Sequence, residues 1–306
     1  MGGLGKPAAK MPIAGVDVSI GRNVKNCNGF CIAQAYYPMR ILSASYNDLN
    51  EDGRKIQNKN ILTIMQQIKL KRGLDIPFDG AAALTLGSVN RPAVYHIVPD
   101  HFAGITPKLM VREGDSVKAG SPLFHDKAFE QMLFTSPVSG KVVAIVRGDR
   151  RKVMSIDIEA DACIAYETFD KSADPKTLLL RSGLWSLIKQ RPYDCIAMPS
   201  KQPKAIFVST FDSAPVAPDY EWVLKGQLVQ LQAAVSALST IAPVYVGIRG
   251  GAKATEFREL KDCTLYEVFG PHPAGNVGVQ INRVAPIAKG ETVWTINIQD
   301  LSLIGR

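Results

Sequence analysis

Three short stretches of the sequence carry side chains whose types and spacing could do chemistry. The first holds Lys127, in DKA at residues 126–128, between the β-rich stretches VREGDSVKAG and FTSPVSGKVVAIV. The second, RSGLWSLIKQRPY at residues 181–193, places an indole, a phenol and guanidinium groups around the end of a predicted helix. The third, FGPHPAG at residues 269–275, is a proline-stiffened loop with one imidazole. A lysine amine on a hairpin suits carriage of a covalently bound group, whereas aromatic rings beside cations suit a flat ring with polar substituents, such as a quinone.

Lys127 lies in a pattern typical of swinging-arm domains, which carry lipoate or biotin on a lysine at the tip of a tight hairpin. In those domains the lysine precedes the (S/A)-P-x-x-G strand by a short, fixed distance, but here Ser136 follows Lys127 by nine positions. That spacing is too long for the usual hairpin, so we expect Lys127 to be buried in an enlarged loop and the β module to serve as a scaffold. A swinging-arm carrier on Lys127 is the alternative.

The other two stretches contain the residues that we select as candidate contacts for a quinone or a partner protein: Trp185, Arg191, Tyr193 and His272. Core packing of Trp185 and a stiff turn at residues 269–275 are the plainer alternative. No catalytic residue, cofactor-binding residue or metal ligand is predicted, because HExxH, GxSxG, GxGxxG and the P-loop spacing are all missing and CNGFC is a poor zinc half-site. The five cysteines therefore indicate reduced thiols.

Composition and charge exclude several classes of function. With 46% hydrophobic and 21% charged residues, the 306-residue chain can bury a core, and about two domains are expected. The net charge of +8 does not indicate a nucleic-acid partner, because half of the basic excess lies in residues 1–64, the other 242 residues are only mildly basic, and no aromatic residues alternate with the dense basic run. The dense basic run at residues 147–152 is predicted to be a solvated hairpin turn, with contact to anionic lipid or an acidic partner as the alternative. No apolar run is long enough to span a membrane, so any membrane role is expected to be peripheral.

The order of patterns predicts an α/β multidomain protein, with a lipoyl/biotinyl-like β-sandwich (barrel-sandwich hybrid) module followed by a Rossmann-like α/β domain. Residues 1–64 are rich in Asn, Gly, Ser and Lys, and we interpret them as a flexible extension or a misassigned start, with Met65 as the alternative to Met1. Residues 65–160, with short strands between Gly, Pro and Asp turns, form the predicted β module. Residues 161–306 form the predicted α/β domain, which we expect to be incomplete because the sequence stops soon after a strand-like segment.

Two strands with a long helix between them predict a parallel sheet in the second domain. KAIFVST at residues 204–210 and PVYVGI at residues 243–248 read as strands. Residues 220–242 carry an apolar stripe at helical spacing, which completes a βαβ unit. Before this unit, DPKTLLLRSGLWSLIKQ at residues 174–190 is predicted to be one helix, with Asp174 as N-cap and proline at the first helical position.

Six segments of the chain form a specific combination when taken in order. They are IKLKRGLDIP, VREGDSVKAGSPLFHDK, FTSPVSGKVVAIVRGDRR, SGLWSLIKQRPYD, FVSTFDSAPVAPD and FGPHPAG. Together they closely resemble the A subunits of the Na+-translocating NADH:quinone oxidoreductases. The resemblance extends from about Met65 to Arg306, which is nearly everything except the first 64 residues.

The resemblance implies a peripheral protein of a membrane complex, placed at the cytoplasmic face of the bacterial inner membrane. The complex of that family passes electrons from NADH through flavins and an iron–sulfur centre to quinone, and it exports Na+. The implied partners are the other subunits and quinone, with no nucleic acid. The implied role is in quinone binding and reduction and in assembly of the complex, without an independent catalytic centre in this chain and with an unmodified lipoyl-like module. A purely structural adaptor of an electron-transport complex is the alternative.

The resemblance also implies which cofactors this chain does not hold. A more distant relative, the flavin-binding subunit of respiratory complex I, cradles FMN in a glycine-rich loop at a helix start. The matching segment here has one glycine, Gly183, with bulky Trp185 and Leu187 where backbone amides would need to approach phosphate. We therefore expect this chain to bind neither FMN nor NADH, and we expect flavins, iron–sulfur centres and NADH to bind to other subunits.

Overall fold

The computed structural model describes residues 65–80, 82–170, 172–252 and 255–306, and the predicted extension at residues 1–64 lies outside the described residues. The strands, in chain order, are β1 (Gln66–Lys69), β2 (Val94–Ile97), β3 (Pro107–Leu109), β4 (Ser116–Val117), β5 (Pro122–Asp126), β6 (Leu133–Thr135), β7 (Gly140–Arg147), β8 (Val153–Ala160), β9 (Lys189–Arg191), β10 (Cys195–Ile196), β11 (Ile206–Ser209), β12 (Val244–Arg249), β13 (Thr264–Phe269) and β14 (Val293–Asn297). The α-helices are α1 (Pro175–Arg181), α2 (Tyr220–Val223), α3 (Leu228–Ser239), α4 (Val277–Val284) and α5 (Ile298–Gly305).

The strands from β2 to β8 form two antiparallel sheets, with the orders β2-β8-β7-β4 and β3-β5-β6. Apolar side chains from both sheets share one buried cluster, because alternate residues of a strand point to opposite faces. Leu123, Val142 and Ile156 are fully buried there, and the rings of Phe124 and Phe134 stack with their centroids 4.7 Å apart. This arrangement is the β-sandwich that the sequence predicts, and the predicted fold class is confirmed.

The second region is built on a seven-stranded sheet with the order β1-β13-β12-β11-β14-β9-β10. The strands from β1 to β14 in this order are parallel, and β9 and β10 continue the sheet in antiparallel pairs. From β11 the chain moves outward through β12 to β13, and it then returns through α4 to β14 on the other side of β11. The direction of winding therefore reverses between β11 and β14. The predicted βαβ unit is confirmed as β11–α3–β12.

β1 joins this seven-stranded sheet, although its position in the sequence placed it in the β module. It pairs in parallel with β13, with Ile68 opposite Val268. The Gln67 side chain also donates a hydrogen bond of 3.1 Å to the carboxylate of Glu267, which lies 200 residues away along the chain. A pairing between such distant segments leaves no local pattern in the sequence. The strand β1 could therefore be predicted, but the sheet to which it belongs could not.

Two predicted helices are shorter than expected, and in each a left-handed glycine ends or interrupts the helix. α1 begins as predicted, with the Asp174 side chain as its N-cap and proline at the first position. It does not reach residue 190, because Gly183 adopts a φ of 80° and the chain then extends into β9. The helix predicted at residues 220–242 is divided into α2 and α3 near Gly226, which has a φ of 75°.

Helices cover both faces of the sheet. α3 and α5 share a buried cluster with Ile206 and Val208, and α4 packs from the other face in a cluster with Phe207 and Tyr266. The first cluster is continuous with the interior of the β-sandwich, since it also contains Leu123. The β-sandwich and the α/β sheet therefore share one apolar core.

Candidate functional site

A cleft of about 480 Å³ opens where the winding of the sheet reverses. The carboxyl ends of β11 and β14 contribute Ser209 and Asn297 to it. β9 contributes Lys189 and Arg191, and the loop before α4 contributes His272. The cleft therefore occupies the position where doubly wound sheets bind ligands, outside the carboxyl ends of strands whose connections run in opposite directions.

The cleft combines a cation, an incompletely paired donor and apolar surface. The Arg191 guanidinium lies 3.4 Å from the carboxylate of Asp194, and the Arg191 side chain is 30% exposed. Its Nε is buried and has no hydrogen-bond partner among the described residues. Leu187, Phe211 and Ile296 supply apolar lining. A buried donor without a partner beside apolar side chains suits a ligand that brings an acceptor oxygen and a flat apolar face.

His272 is held in place through its ring and through its main chain. Ser213 Oγ lies 3.1 Å from His272 Nδ1 and accepts a hydrogen bond of 2.8 Å from Gly275 N. A hydroxyl can accept two hydrogen bonds and donate one, so the contact with Nδ1 can form whichever ring nitrogen carries the proton. The main-chain N–H of His272 donates to Asp75 Oδ1 at 2.8 Å, and Leu74 N donates to His272 O at 3.0 Å. The segment after β1 therefore fixes the loop that carries the imidazole.

Two ionisable groups at or beside the cleft have shifted pKa values. Burial, followed by the charges of Asp212 and Asp300, raises the pKa of Tyr220 above its usual range. Burial also raises the pKa of Asp300, and the hydrogen bond from Asn297 and the charge of Lys189 oppose that rise. Tyr220 therefore stays a neutral hydroxyl at physiological pH and can donate a hydrogen bond.

Of the four residues selected from the sequence, the structure brings Arg191 and His272 together at the cleft. Trp185 is 0% exposed, its indole N–H donates to a main-chain oxygen at 2.7 Å, and its ring packs edge-on against Trp294 at 5.2 Å. Its selection as a contact residue is therefore corrected to core packing. Tyr193 is 81% exposed and does not line the cleft. Contact of Arg191, Tyr193 and His272 with a quinone or a partner stays a prediction.

Lys127 is exposed, so the prediction that an enlarged loop buries it is wrong. The loop between β5 and β6 spans residues 127–132 and is long, as the spacing predicts. Phe129 and Met132 of this loop pack against the core, and the Lys127 N–H donates to Thr106 O at 2.8 Å. Lys127 therefore lies in solvent at the start of the loop and not at the tip of a tight hairpin.

Sequence reasoning missed four residues that surround or support the cleft: Asp75, Lys189, Ser213 and Tyr220. Ser213 and Tyr220 follow a predicted strand of a parallel sheet, and polar residues at such a strand end are candidates for a ligand site. That signal was available from the sequence. Asp75 gave no such signal, because it contacts His272 from 197 residues away.

In residues 65–80, 82–170, 172–252 and 255–306, no group of three or more His, Cys, Asp and Glu side chains is placed to hold a metal ion. Over the same ranges, no helix has both the length and the apolar composition needed to cross a membrane. Cys163, Cys195 and Cys263 are free thiols. Burial, with a smaller effect of the Asp262 charge, raises the pKa of Cys263 to about 11, so this thiol stays protonated at neutral pH.

Two family models match consecutive parts of the chain. Residues 68–161 match the model described as the NqrA N-terminal barrel-sandwich hybrid domain. Residues 171–306 match the model described as the NqrA second alpha/beta domain. The two matched ranges contain the β-sandwich and the strands from β9 to β14, in the same order as in the structure.

Curated relatives agree with these family models, and they are named as the A subunits of Na(+)-translocating NADH-quinone reductases. The chain is 34% identical over 251 residues to the relative from Yersinia pestis, and the match covers 78% of this chain and 56% of the relative. The relative from Serratia proteamaculans is 33% identical over 252 residues, with the same shares of both chains. The chain thus spans about 56% of the length of these relatives. On both comparisons, this chain belongs to the NqrA family, the A subunits of Na+-translocating NADH-quinone reductases.

Proposed function

We propose that this chain acts as a subunit of a Na+-translocating NADH:quinone oxidoreductase and that it contributes to quinone binding and to assembly of that complex. Membership of the NqrA family supports the assignment to the complex, because the curated relatives carry this name. The observation that carries the quinone assignment is the cleft at the carboxyl ends of β11 and β14, where the winding of the sheet changes direction. There Arg191 and His272 come together beside apolar side chains.

A quinone headgroup is a flat ring with carbonyl oxygens, and the cleft offers groups of matching chemistry. The side chains of Lys189, Arg191 and His272 can donate hydrogen bonds to those oxygens. Phe211 and Ile296 offer apolar surface to the ring. When electrons reach the quinone, negative charge develops on its oxygens before protons arrive. A guanidinium already in place, such as that of Arg191, stabilises this charge without first having to reorient.

The part of this chain in the reaction is to bind and orient the quinone. Reduction to the quinol adds electrons and protons to the ring oxygens, and in this proposal the electrons come from redox groups on other subunits. Flavins, iron–sulfur centres and NADH bind to those subunits and not to this chain. The role places the chain at the cytoplasmic face of the inner membrane, where partner subunits connect it to the bilayer.

The quinone assignment is tested on the complex isolated from native membranes with this chain in place. We expect Arg191→Gln and His272→Asn each to raise KM for a short-chain quinone about tenfold. Each variant loses a hydrogen bond that involves a charged group or an oxygen that gains charge, and such a loss weakens binding by roughly 1.5 kcal/mol. NADH oxidation by an artificial electron acceptor should not change. Arg112→Gln, an exposed arginine of the β-sandwich, is the matched control.

Two results would contradict the proposal separately. If both cleft variants keep wild-type quinone kinetics, the cleft is not part of the quinone path. If the chain does not copurify with membrane-spanning subunits, its role in assembly is wrong. The mass of the Lys127 peptide discriminates the alternative function: we expect no lipoyl or biotinyl adduct, and a stoichiometric adduct would assign a swinging-arm carrier.

A further inference from the structure

A second, smaller depression lies on the β-sandwich, remote in the sequence from the cleft residues. Its volume is about 420 Å³, and it lies between β3 and the turn that joins β7 to β8. Arg147, Arg151 and Lys152 line it together with the apolar side chains of Leu109 and Val153. No carboxylate is among its described lining residues. We call this depression the basic notch.

Hydrogen bonds hold the cations of the basic notch in a rigid turn, as the predicted hairpin at residues 147–152 requires. Gly148 N donates to Lys152 O at 2.8 Å, and Lys152 N donates to Asp149 O at 3.1 Å. The Arg147 guanidinium donates to Arg151 O at 3.3 Å. These bonds fix the backbone of the turn and the Arg147 guanidinium before any ligand arrives, which lowers the entropy lost on binding.

Positive charge exceeds negative charge around the basic notch. Arg150 adds a further exposed guanidinium at the tip of the turn. Three carboxylates lie nearby: Asp149 belongs to the turn, Asp100 forms an ion pair of 2.5 Å with Lys152, and the buried Asp126 accepts a hydrogen bond of 2.8 Å from the main-chain N–H of Thr106, which lines the notch. Arg147 and Arg151 have no ion pair among the described residues. The guanidinium groups are therefore available to an anion from outside the chain.

The backbone of the turn gives an independent reason to look for a function. Arg150 and Arg151 are both left-handed, with φ values of 54° and 62°. This conformation is unfavourable for residues with a Cβ and favours glycine or asparagine, so both arginines stand against the local preference. Unfavourable backbone conformations of this kind are found at functional sites, so the turn is a candidate site.

We propose that the basic notch binds the phosphate of an anionic phospholipid headgroup at the membrane surface. The cations match the phosphate, and arginine is suited to it because its planar donors can bind two oxygens at once. Apolar side chains match the acyl region next to the headgroup: the half-buried Leu109 lines the notch, and Val146 and Met154 beside the turn are 45% and 42% exposed. An acidic protein surface would use the charges but leave these apolar side chains in water.

The test uses the purified 306-residue chain and vesicles, without the complex or quinone. A negative result would therefore contradict lipid binding at the notch without contradicting the proposed function. We expect cosedimentation with phosphatidylglycerol/phosphatidylcholine vesicles, little with phosphatidylcholine alone, and loss of binding at high salt. Arg147→Gln and Arg151→Asn should each weaken binding about fivefold, which corresponds to roughly 1 kcal/mol for one cation near an anionic surface. Lys201→Gln with Lys225→Gln removes two exposed cations elsewhere and should leave binding unchanged.

Thermal unfolding of Arg151→Asn separates a binding role from a structural one. Because asparagine tolerates the left-handed conformation better than arginine, this variant should unfold at the same or a higher temperature while its vesicle binding falls. Equal binding to neutral and anionic vesicles, or none to either, would overturn the proposal. So would binding of soluble glycerol phosphate as tight as that of vesicles, which would assign a free phosphate, or binding of polyglutamate without vesicle binding, which would assign an acidic partner.

Discussion

At the scale of residues, the candidate site depends on a few contacts that fix side chains in position. His272 is the clearest case, because its ring, its N–H and its carbonyl oxygen each have a partner. A Cβ added to Gly73 would lie 2.1 Å from His272 O, so the segment after β1 can approach this loop only without a side chain there. The imidazole is therefore positioned by residues that never enter the cleft.

Removal of the Asp75 carboxylate tests this positioning. Asp75→Ala leaves the His272 N–H without its acceptor, and we expect a loss of about 1 kcal/mol in the free energy of unfolding. In the isolated complex, KM for quinone should rise several-fold with a smaller change in kcat. Asp75→Asn, whose amide oxygen can still accept the hydrogen bond, should restore both values. Asp79→Ala, which removes an exposed carboxylate four positions further along, is the control.

The shifted pKa of Asp300 predicts how stability depends on pH. Burial raises the folded-state pKa above the unfolded value, so the contribution of this group to stability is largest at acid pH and is lost as pH rises through the folded-state pKa. We therefore expect Asp300→Asn to raise the unfolding temperature at pH 7 and the gain to disappear below about pH 4. A pH series of thermal unfolding, with Asp161→Asn as an exposed control, checks this. A lower unfolding temperature of Asp300→Asn at pH 7 would contradict it.

At the scale of elements, the junction between α1 and β9 connects the β-sandwich to the α/β sheet. Thr135 of β6 donates a hydrogen bond of 3.0 Å to Ser182 O at the end of α1. Directly after it, a Cβ added to Gly183 would lie 2.5 Å from Thr135 Oγ1. The glycine that stops the helix is therefore also the residue that lets the sandwich approach.

Gly183→Ala should destabilise the protein through both effects. The left-handed conformation costs about 1–2 kcal/mol with a Cβ, and the contact with Thr135 adds to it. We expect a lower unfolding temperature, and we expect the second change Thr135→Ala to recover part of the loss because it removes the clash. Gly87→Ala, where an added Cβ meets no atom of the described residues within 4 Å, should be close to neutral. Equal unfolding temperatures of the Gly183 and Gly87 variants would contradict this explanation.

At the scale of the whole molecule, features that depend on contacts between neighbouring residues were predictable from the sequence, and features that depend on contacts between distant residues were not. The short strands, the N-cap at Asp174 and the βαβ unit depend on local patterns, and all were predictable. The helix that stops at Gly183 was predicted too long, because one glycine within a helical pattern does not reveal a left-handed φ. Trp185 was misjudged because its burial depends on Trp294, which is contributed by a strand more than 100 residues later.

The shared apolar core predicts how the described regions unfold. The β-sandwich and the seven-stranded sheet bury side chains in one continuous cluster. If either region unfolds, apolar side chains of the other region become exposed to solvent. We expect a single calorimetric transition for residues 65–306, with equal calorimetric and van't Hoff enthalpies. Scanning calorimetry at low protein concentration checks this. Two resolved transitions would show that each region is stable alone.

The pairing of β1 with β13 has a consequence for how this protein is made. Among the described strands, β1 leaves the ribosome first, but the edge it completes is formed about 200 residues later, after the whole β-sandwich has been synthesised. Closing so long a loop is entropically unfavourable and makes this pairing slow relative to local folding. In the interval, β13 presents an open sheet edge, and another chain can occupy it. A nascent chain released before β1 docks is therefore the species most exposed to strand exchange between neighbouring copies.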